Sequence, residues 1–101
     1  MDVLETIRNI LLNHAGKANA IAAKEIAKMA GIPESESSAR VRVLIFQCAK
    51  KYQLPLAADV RGYYIIENDA EYADYMHALE HRIVGITERE TIITQNYKKQ
   101  K

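Results

Sequence analysis

The feature that most constrains this fold is a glycine and proline break between two helical patterns in the first half of the chain. Residues 23–30 repeat apolar and alanine side chains at helical spacing, which predicts a helix that turns Ile26 and Met29 inward. Gly31 suits the left-handed conformation that ends a helix, and Pro33 can begin the next one. The sequence therefore predicts a helix, a turn and a second helix.

The second helix of this pair is basic and two-sided. At about 100° per residue, its apolar side is predicted to pack in the core and contains Val41, Leu44, Ile45, Cys48 and Tyr52. The opposite side mixes polar, basic and large apolar side chains: Ser35, Ala39, Arg40, Arg42, Val43, Phe46, Gln47 and Lys50. The sequence does not determine where this helix begins, because the serine-rich run within residues 33–40 is compatible with either a helix or a loop.

The segment before this pair has the pattern of a first helix. Residues 2–14 carry one apolar stripe, with Asp2 as a cap and His14 as a packed, hydrogen-bonded histidine on the buried side. Gly16 is predicted to end this helix. A short strand is then expected at Ala20-Ile21.

A β-hairpin is predicted after the basic helix. Residues 54–66 alternate in the manner of two short strands, and the turn between them spans residues 59–62. Tyr63 and Ile65 should share one face, with Tyr64 on the other. Arg61 lies at the tip of the hairpin.

Several short motifs in this part of the chain resemble a known family. They are V-R-x-L-I-x-x-C at residues 41–48, L-P-L at 54–56 and G-Y-Y-I at 62–65. They are similar to the winged helix-turn-helix of the biotin-repressor type. They also resemble small phage-encoded relatives, in which a wing precedes a helix with a Leu-x-x-Arg-Ile pattern, matched here by Leu79, Arg82 and Ile83.

The resemblance spans roughly residues 20–86 and implies an α+β fold. That fold is a mostly helical winged helix-turn-helix with a two- to three-stranded wing sheet and a long C-terminal helix. The chain departs from the pattern between Ile32 and Val41, where about four extra residues approach one helical turn. Base-reading positions therefore cannot be transferred from the family one by one.

The resemblance and the basic helix together predict double-stranded DNA binding. The family implies a phage- or prokaryote-type regulator, such as a repressor or an excision or replication-control factor. Arginine and glutamine read base edges, while lysine and serine hold phosphates. The predicted DNA contacts are Ser35, Ser38, Arg40, Arg42, Gln47, Lys50 and Arg61. A solvated turn arginine is the alternative interpretation of Arg61.

Two apolar side chains on the outer side of the basic helix favour a different partner. Val43 and Phe46 are large and hydrophobic where a DNA-reading face should be polar, and such pairs usually contact another element or chain. We expect Phe46 to be covered by the C-terminal helix or by another chain. The alternative function is therefore a winged-helix module for protein-protein interaction.

From Asp69 to about Lys99 the sequence predicts one long helix with a heptad seam. The seam consists of Tyr72, Met76, Leu79, Ile83, Ile86, Glu90, Ile93 and Tyr97. The division is a domain at residues 1–66 and a helical extension at residues 67–101, whose first half should pack on the domain. Beyond Ile86 the seam is expected to pair with a second copy, so a homodimer is predicted. The predicted dimer or partner interface comprises Val43, Phe46, Ile86, Ile93 and Tyr97.

Composition narrows the class of protein. A chain of 101 residues suits one small domain, and its net charge of +1 is low for a nucleic-acid binder. The distribution of charge is more informative, because residues 31–66 hold five basic against three acidic side chains. The single Cys48 is predicted to be a buried structural thiol. The absence of a secretory signal or an apolar span predicts a cytoplasmic protein with no membrane partner.

One stretch of the predicted C-terminal helix matches the sequence pattern of a metal site. His77, Glu80 and His81 spell H-x-x-E-H, the order found in inverted zinc peptidases. A catalytic zinc needs a third protein ligand and a cleft, and the sequence offers neither. A chance match on a solvated helix is therefore expected. With no phosphate-binding glycine motif either, the sequence predicts no metal, no cofactor and no enzyme.

Overall fold

A computed structural model describes residues 2–100. The protein is α+β and mostly helical, with a two-stranded antiparallel sheet and a long C-terminal helix. In order, the elements are α1 (Val3–Leu11), a 3-10 turn (Lys17–Asn19), α2 (Ala23–Met29), α3 (Ser38–Tyr52), β1 (Leu56–Asp59), β2 (Gly62–Ile65) and α4 (Asp69–Lys99). The core lies where α1, α2 and α3 meet, and its buried residues are Ile7, Ile10, Leu11, Ile21, Ile26, Val41, Ile45 and Cys48.

Helix α1 begins where predicted and ends early. The Asp2 carboxylate accepts a first-turn N–H at 2.8 Å, which confirms the cap. The prediction that the helix reaches His14 and ends at Gly16 is wrong, because its last residue is Leu11. His14 is only half-buried, and its Nδ1 lies 2.8 Å from the Asn19 carbonyl oxygen. It is thus a hydrogen-bonded histidine of the connecting segment.

Helix α2 closes with the predicted glycine turn. Gly31 has φ +74°, and the Ile32 N–H donates to the Ala27 carbonyl oxygen at 2.9 Å. This pattern satisfies the carbonyl groups at the helix end. Ile26 is buried as predicted, but the inward placement of Met29 is wrong, since its side chain is exposed. In so short a helix, Met29 lies at the edge of the apolar stripe and beyond the reach of the core.

The serine-rich run before α3 is a loop. Helix α3 begins at Ser38, and the hydroxyl of Ser37 accepts the Arg40 N–H at 3.1 Å. Ser37 is therefore the cap, so residues 33–37 do not lengthen the helix. The predicted core stripe of α3 is confirmed, because Val41, Ile45 and Cys48 are buried while Leu44 and Tyr52 pack against them.

Strand β2 joins the hairpin to the helical part of the protein. On one edge it pairs with β1, and on the other Tyr63 exchanges two 2.8 Å backbone hydrogen bonds with Ile21. The predicted strand at this position is thus a single-residue bridge. The Ile65 N–H donates to the His14 carbonyl oxygen at 3.0 Å, and its own carbonyl accepts the Gly16 N–H at 2.8 Å. Because this segment pairs with β2, α1 cannot continue through it.

Gly62 permits the close approach of β2 to the helical part. Its φ is +134°, a value that favours glycine. A Cβ at this position would overlap the carbonyl group of Ile21 and lie 2.7 Å from the backbone nitrogen of Ala22. A side chain there would therefore push the hairpin away from the segment that leads into α2.

A carboxylate fixes the start of α4. The side chain of Asn68 accepts the Glu71 N–H at 2.9 Å and caps the helix. The Glu71 carboxylate accepts the Lys17 N–H at 2.8 Å and the Glu67 N–H at 2.9 Å. The beginning of α4 is thereby tied to the 3-10 turn.

The first turns of α4 lie near the far face of the hairpin. Tyr64 points away from the main core yet is only 2 % exposed. Burial raises the pKa of its phenol, and the nearby acidic groups of Asp59, Glu71 and Asp74 raise it further. Tyr64 is thus buried outside the main core, near the acidic residues at the start of α4.

The main core is formed without α4, and partly buried residues occur only in the first half of this helix. No described residue of α4 is buried, although Tyr75, Met76 and Leu79 are half-buried. The described residues from Glu80 onward are exposed. The radius of gyration is 17.0 Å, against about 13 Å for a compact chain of this length. None of the helices formed by residues 2–100 has the length and apolar character that a membrane span requires.

Gly62→Ala should destabilise the protein strongly. We expect the free energy of unfolding to fall by about 3 kcal/mol or more, because an unfavourable φ alone costs about 1–3 kcal/mol and the overlap with Ile21 adds to it. Urea denaturation measures the loss. Gly31→Ala is the matched control, since its φ is also positive but no atom lies within 4 Å of its Cβ position. Equal losses for the two variants would contradict the proposed close approach.

Acid should release the tie at the start of α4. Hydrogen bonds from Lys17 and Glu67 lower the pKa of Glu71 below its ordinary value of 4.5. The stabilisation is therefore complete above pH 4.5 and is lost as the pH falls through the lowered value. The amide proton shift of Lys17, followed by NMR, should titrate in this acidic range. Glu71→Gln should abolish the titration, whereas the exposed Glu80→Gln should leave it unchanged.

Candidate nucleic-acid interface

The outer face of α3 presents its polar residues to solvent on two flanks. Exposed side chains include all the predicted polar contacts of this region: Ser35, Ser38, Arg40, Arg42, Gln47 and Lys50. Two residues along a helix correspond to a rotation of about 200°, so Arg40 and Arg42 lie on opposite flanks. Gln47 is on the Arg40 flank. The structure therefore does not gather these side chains into one patch.

One shallow groove connects α3 to the hairpin. Arg42 lines it from α3, Arg61 and Tyr63 line it from the hairpin, and Ala22 and Ala23 line it from the start of α2. Burial raises the pKa of Tyr63, and the charge of Arg42 acts on the phenol in the opposite direction. The groove thus brings Arg42 and Arg61 together.

Arg61 is held by a carboxylate that sequence reasoning did not assign to the site. Asp59 Oδ1 accepts the Arg61 N–H at 2.8 Å, and its Oδ2 lies 3.3 Å from Arg61 Nη2. Burial acts to raise the pKa of Asp59, but the hydrogen bonds and charge of Arg61 outweigh it and leave the pKa below 3.8. The Arg61 side chain is 55 % exposed, and the Asp59 side chain is 22 % exposed. Asp59 therefore positions Arg61 and offsets part of its charge.

Several basic side chains of α2 and α3 have no acidic partner among the described residues. Ion pairs within residues 2–100 involve Arg8, Lys51 and Arg61. In that same part of the chain, no ion pair is formed by the basic residues of α2 or by the remaining ones on the outer face of α3: Lys24, Lys28, Arg40, Arg42 and Lys50. Lys24 and Lys28 are not among the DNA contacts predicted from the sequence. Their position on the first helix of the helical pair is the signal that could have found them.

Acidic side chains limit the positive charge of this surface. Glu34 and Glu36, from the loop before α3, share a second groove with Lys24 and Lys28. The surface is therefore basic only in part. This arrangement agrees with the small net charge of the chain.

The apolar pair on α3 remains uncovered. Phe46 is 69 % exposed and Val43 is also exposed, so α4 does not cover them. Of the two covers expected for Phe46, the C-terminal helix is thus excluded for the single chain. The other predicted interface residues, Ile86, Ile93 and Tyr97, are exposed on α4, away from α3.

The histidines of α4 and the single cysteine lie apart from the groove between α3 and the hairpin. The rings of His77 and His81 meet edge to face with centroids 4.7 Å apart. Within the described residues, no group of three or more His, Cys, Asp or Glu side chains could hold a metal ion. The Cys48 thiol is buried, its Sγ donates to the Leu4 carbonyl oxygen at 3.3 Å, and burial raises its pKa. Cys48 thus has the structural role expected of it.

Comparison with other proteins adds no assignment to this geometry. No protein-family model, curated protein or solved structure matches the chain.

Removing the charge of Arg61 should raise the pKa of Asp59. In the native protein that pKa lies below 3.8 because Arg61 donates to the carboxylate. Arg61→Gln removes the charge and the Nη2 contact, so the carboxyl should titrate at higher pH, as followed by carbon NMR of the Asp59 side chain. Arg40→Gln removes an equal charge from the far flank of α3 and should leave the titration unchanged. An unaltered titration in Arg61→Gln would show that the pair is absent in solution.

Proposed function

We propose that this chain is a winged helix-turn-helix protein that binds double-stranded DNA. In this proposal α2 and α3 form the helix-turn-helix, and the β1–β2 hairpin is the wing. The observation that carries it is the groove in which Arg42 of α3 and Arg61 of the hairpin lie together. Two arginines from different elements at one groove can engage neighbouring phosphates of a duplex at the same time.

The unpaired lysines support this orientation. In a helix-turn-helix the second helix enters the major groove while the first crosses the backbone. The side chains of Lys24 and Lys28 on α2 are exposed and make no ion pair in the described part of the chain. They are thus available to phosphates.

The apolar residues of α3 are compatible with base contact. Phenylalanine and other apolar side chains can contact the methyl group of thymine in the major groove. Phe46 projects from the exposed face of α3 and lies between the flanks that carry Arg40 and Arg42. We assign base reading to this central strip together with Gln47, and phosphate contact to the arginines.

Protein interaction is the second candidate function. The exposed Phe46 and Val43 favour it, because uncovered apolar pairs commonly mark protein interfaces. On this alternative, the helical scaffold presents α3 to another protein and the arginines only surround the contact.

Duplex binding at two salt concentrations tests the DNA proposal. A pool of randomised duplexes is the probe, followed by fluorescence anisotropy. Each phosphate contact that is removed should reduce the salt slope by about one, so Arg42→Gln and Arg61→Gln should each do so. Lys99→Gln is the charge-matched control on the far end of α4 and should leave the slope unchanged. Salt-independent binding, or equal effects of all three variants, would overturn the proposal.

Phe46→Asp separates the two functions. On the DNA proposal a carboxylate in the major groove repels phosphates, so duplex affinity should fall by about tenfold or more. Leu12→Asp adds the same charge at an exposed apolar residue outside the site and should have little effect. Undiminished duplex affinity in Phe46→Asp would instead favour protein interaction through this side chain.

A further inference from the structure

An uncovered apolar stripe runs along the projecting half of α4. Ile83, Ile86 and Ile93 are 63 %, 62 % and 59 % exposed. They fall on one side of the helix, since steps of three and four residues return to the same face. A surface of this kind, on a helix that leaves the body of the protein, is uncommon in a monomer.

The sequence of this half is ill suited to a solitary helix. Residues 83–94, IVGITERETIIT, contain Gly85 and eight β-branched side chains, which are poorer helix formers than alanine or leucine. Helices in water depend mostly on packing of an apolar face for their stability. Since no described residue of α4 is buried, this packing must come from outside the single chain.

We propose that a second copy of this chain pairs with α4 in parallel and in register, as a two-stranded coiled coil. The heptad places one class of core position at Met76, Ile83, Glu90 and Tyr97, and the other at Tyr72, Leu79, Ile86 and Ile93. In this arrangement each isoleucine packs against its own counterpart. The pairing begins near Leu79, the last half-buried residue of α4, and extends over the exposed half of the helix.

Charge complementarity selects the parallel orientation. Glu90 is the one charged residue of the seam, and Arg89 precedes it on the edge of the helix. In heptad terms Glu90 is at position a and Arg89 is at the preceding position g. In a parallel pair the side chain at a packs into a hole that this g residue of the opposite helix helps to line, so each Arg89 lies beside Glu90 of the second copy. These two cross-chain pairs offset the repulsion between the two Glu90 carboxylates.

An antiparallel pair lacks this compensation. Arg82 and Arg89 occupy the same heptad edge, one heptad apart. Antiparallel helices set this edge against its counterpart, so the registers that bury most of the seam place arginine against arginine. Like charges in that position disfavour the antiparallel arrangement.

The parallel pairing also has a consequence that rests on the proposed DNA-binding function. Because the first residue of α4 follows directly from the hairpin segment, parallel helices carry both helix-turn-helix bodies at the same end. Two adjacent bodies would read half-sites about one helical turn of DNA apart. The pairing itself does not depend on DNA.

Disulfide trapping tests the orientation in the full chain. Ile93→Cys places two thiols opposite each other only in the parallel, in-register dimer, and mild oxidation should link the copies. Ile92→Cys is the matched control, since Ile92 is also exposed but faces away from the seam. Cys48 is fully buried and should not take part. Sedimentation equilibrium of the unmodified chain should show a dimer.

A charge exchange tests the role of the polar pair. Arg89→Glu alone should raise the dimer dissociation constant by about tenfold, because two acidic side chains then meet. The double variant Arg89→Glu with Glu90→Arg restores opposite charges across the dimer and should recover most of the affinity. A loss caused by weakened helix formation in one chain would not be recovered in this way.

Two outcomes would overturn the proposal: a monomer at all concentrations, or a dimer in which Ile93→Cys links no better than Ile92→Cys. Failure of the DNA proposal would look different. In that case the chain would remain a trapped, parallel dimer while the Arg42→Gln and Arg61→Gln variants changed no duplex binding.

Discussion

The backbone pairing of β2 with the segment between α1 and α2 is the interaction on which the rest of the structure depends. Tyr63 and Ile21 exchange two hydrogen bonds, and Ile65 adds two more with His14 and Gly16. These bonds fix the hairpin against the helical part of the protein, with Gly62 at the point of closest approach. The position of Arg61 relative to Arg42 follows from this pairing. Without it, the hairpin tip would have no defined relation to α3.

The hairpin separates two regions of different packing. On one face, Tyr63 and Ile65 pack against the main core. On the other, Tyr64 is buried near the first turns of α4, and Glu71 ties that helix to the 3-10 turn. The start of α4 is therefore held in place while its second half makes no contact with the core. This division leaves the heptad seam open to another chain.

The ion pair between Asp59 and Arg61 at the hairpin tip is a further consequence of the fold. Asp59 and Arg61 are two residues apart, and the tight turn makes the carboxylate bind both the backbone and the side chain of the arginine. An exposed pair of this kind contributes little to stability. Its effect is on the direction of Arg61, which is the property that a phosphate contact would require.

Much of the local structure follows from the sequence alone. The cap at Asp2, the turn at Gly31 and the core stripe of α3 depend on neighbouring residues and on helical periodicity, so they could be predicted from their spacing. The hairpin turn before Gly62 depends on local preferences in the same way. The exposure of the polar residues of α3 could also be predicted, because the side of a helix opposite its apolar stripe faces outward.

Tertiary structure alone decided how these pieces are used. Helix α1 ends before His14 because residues far along the chain, in β2, take up the backbone of the next segment. Helical periodicity does not encode the positions of neighbouring helices. It therefore could not show that Met29 is exposed or that Phe46 is left uncovered. The meeting of Arg42 with Arg61 and the restraint by Asp59 likewise arise from strand pairing. Sequence pattern determines which face of an element is apolar, whereas long-range backbone pairing determines what that face meets.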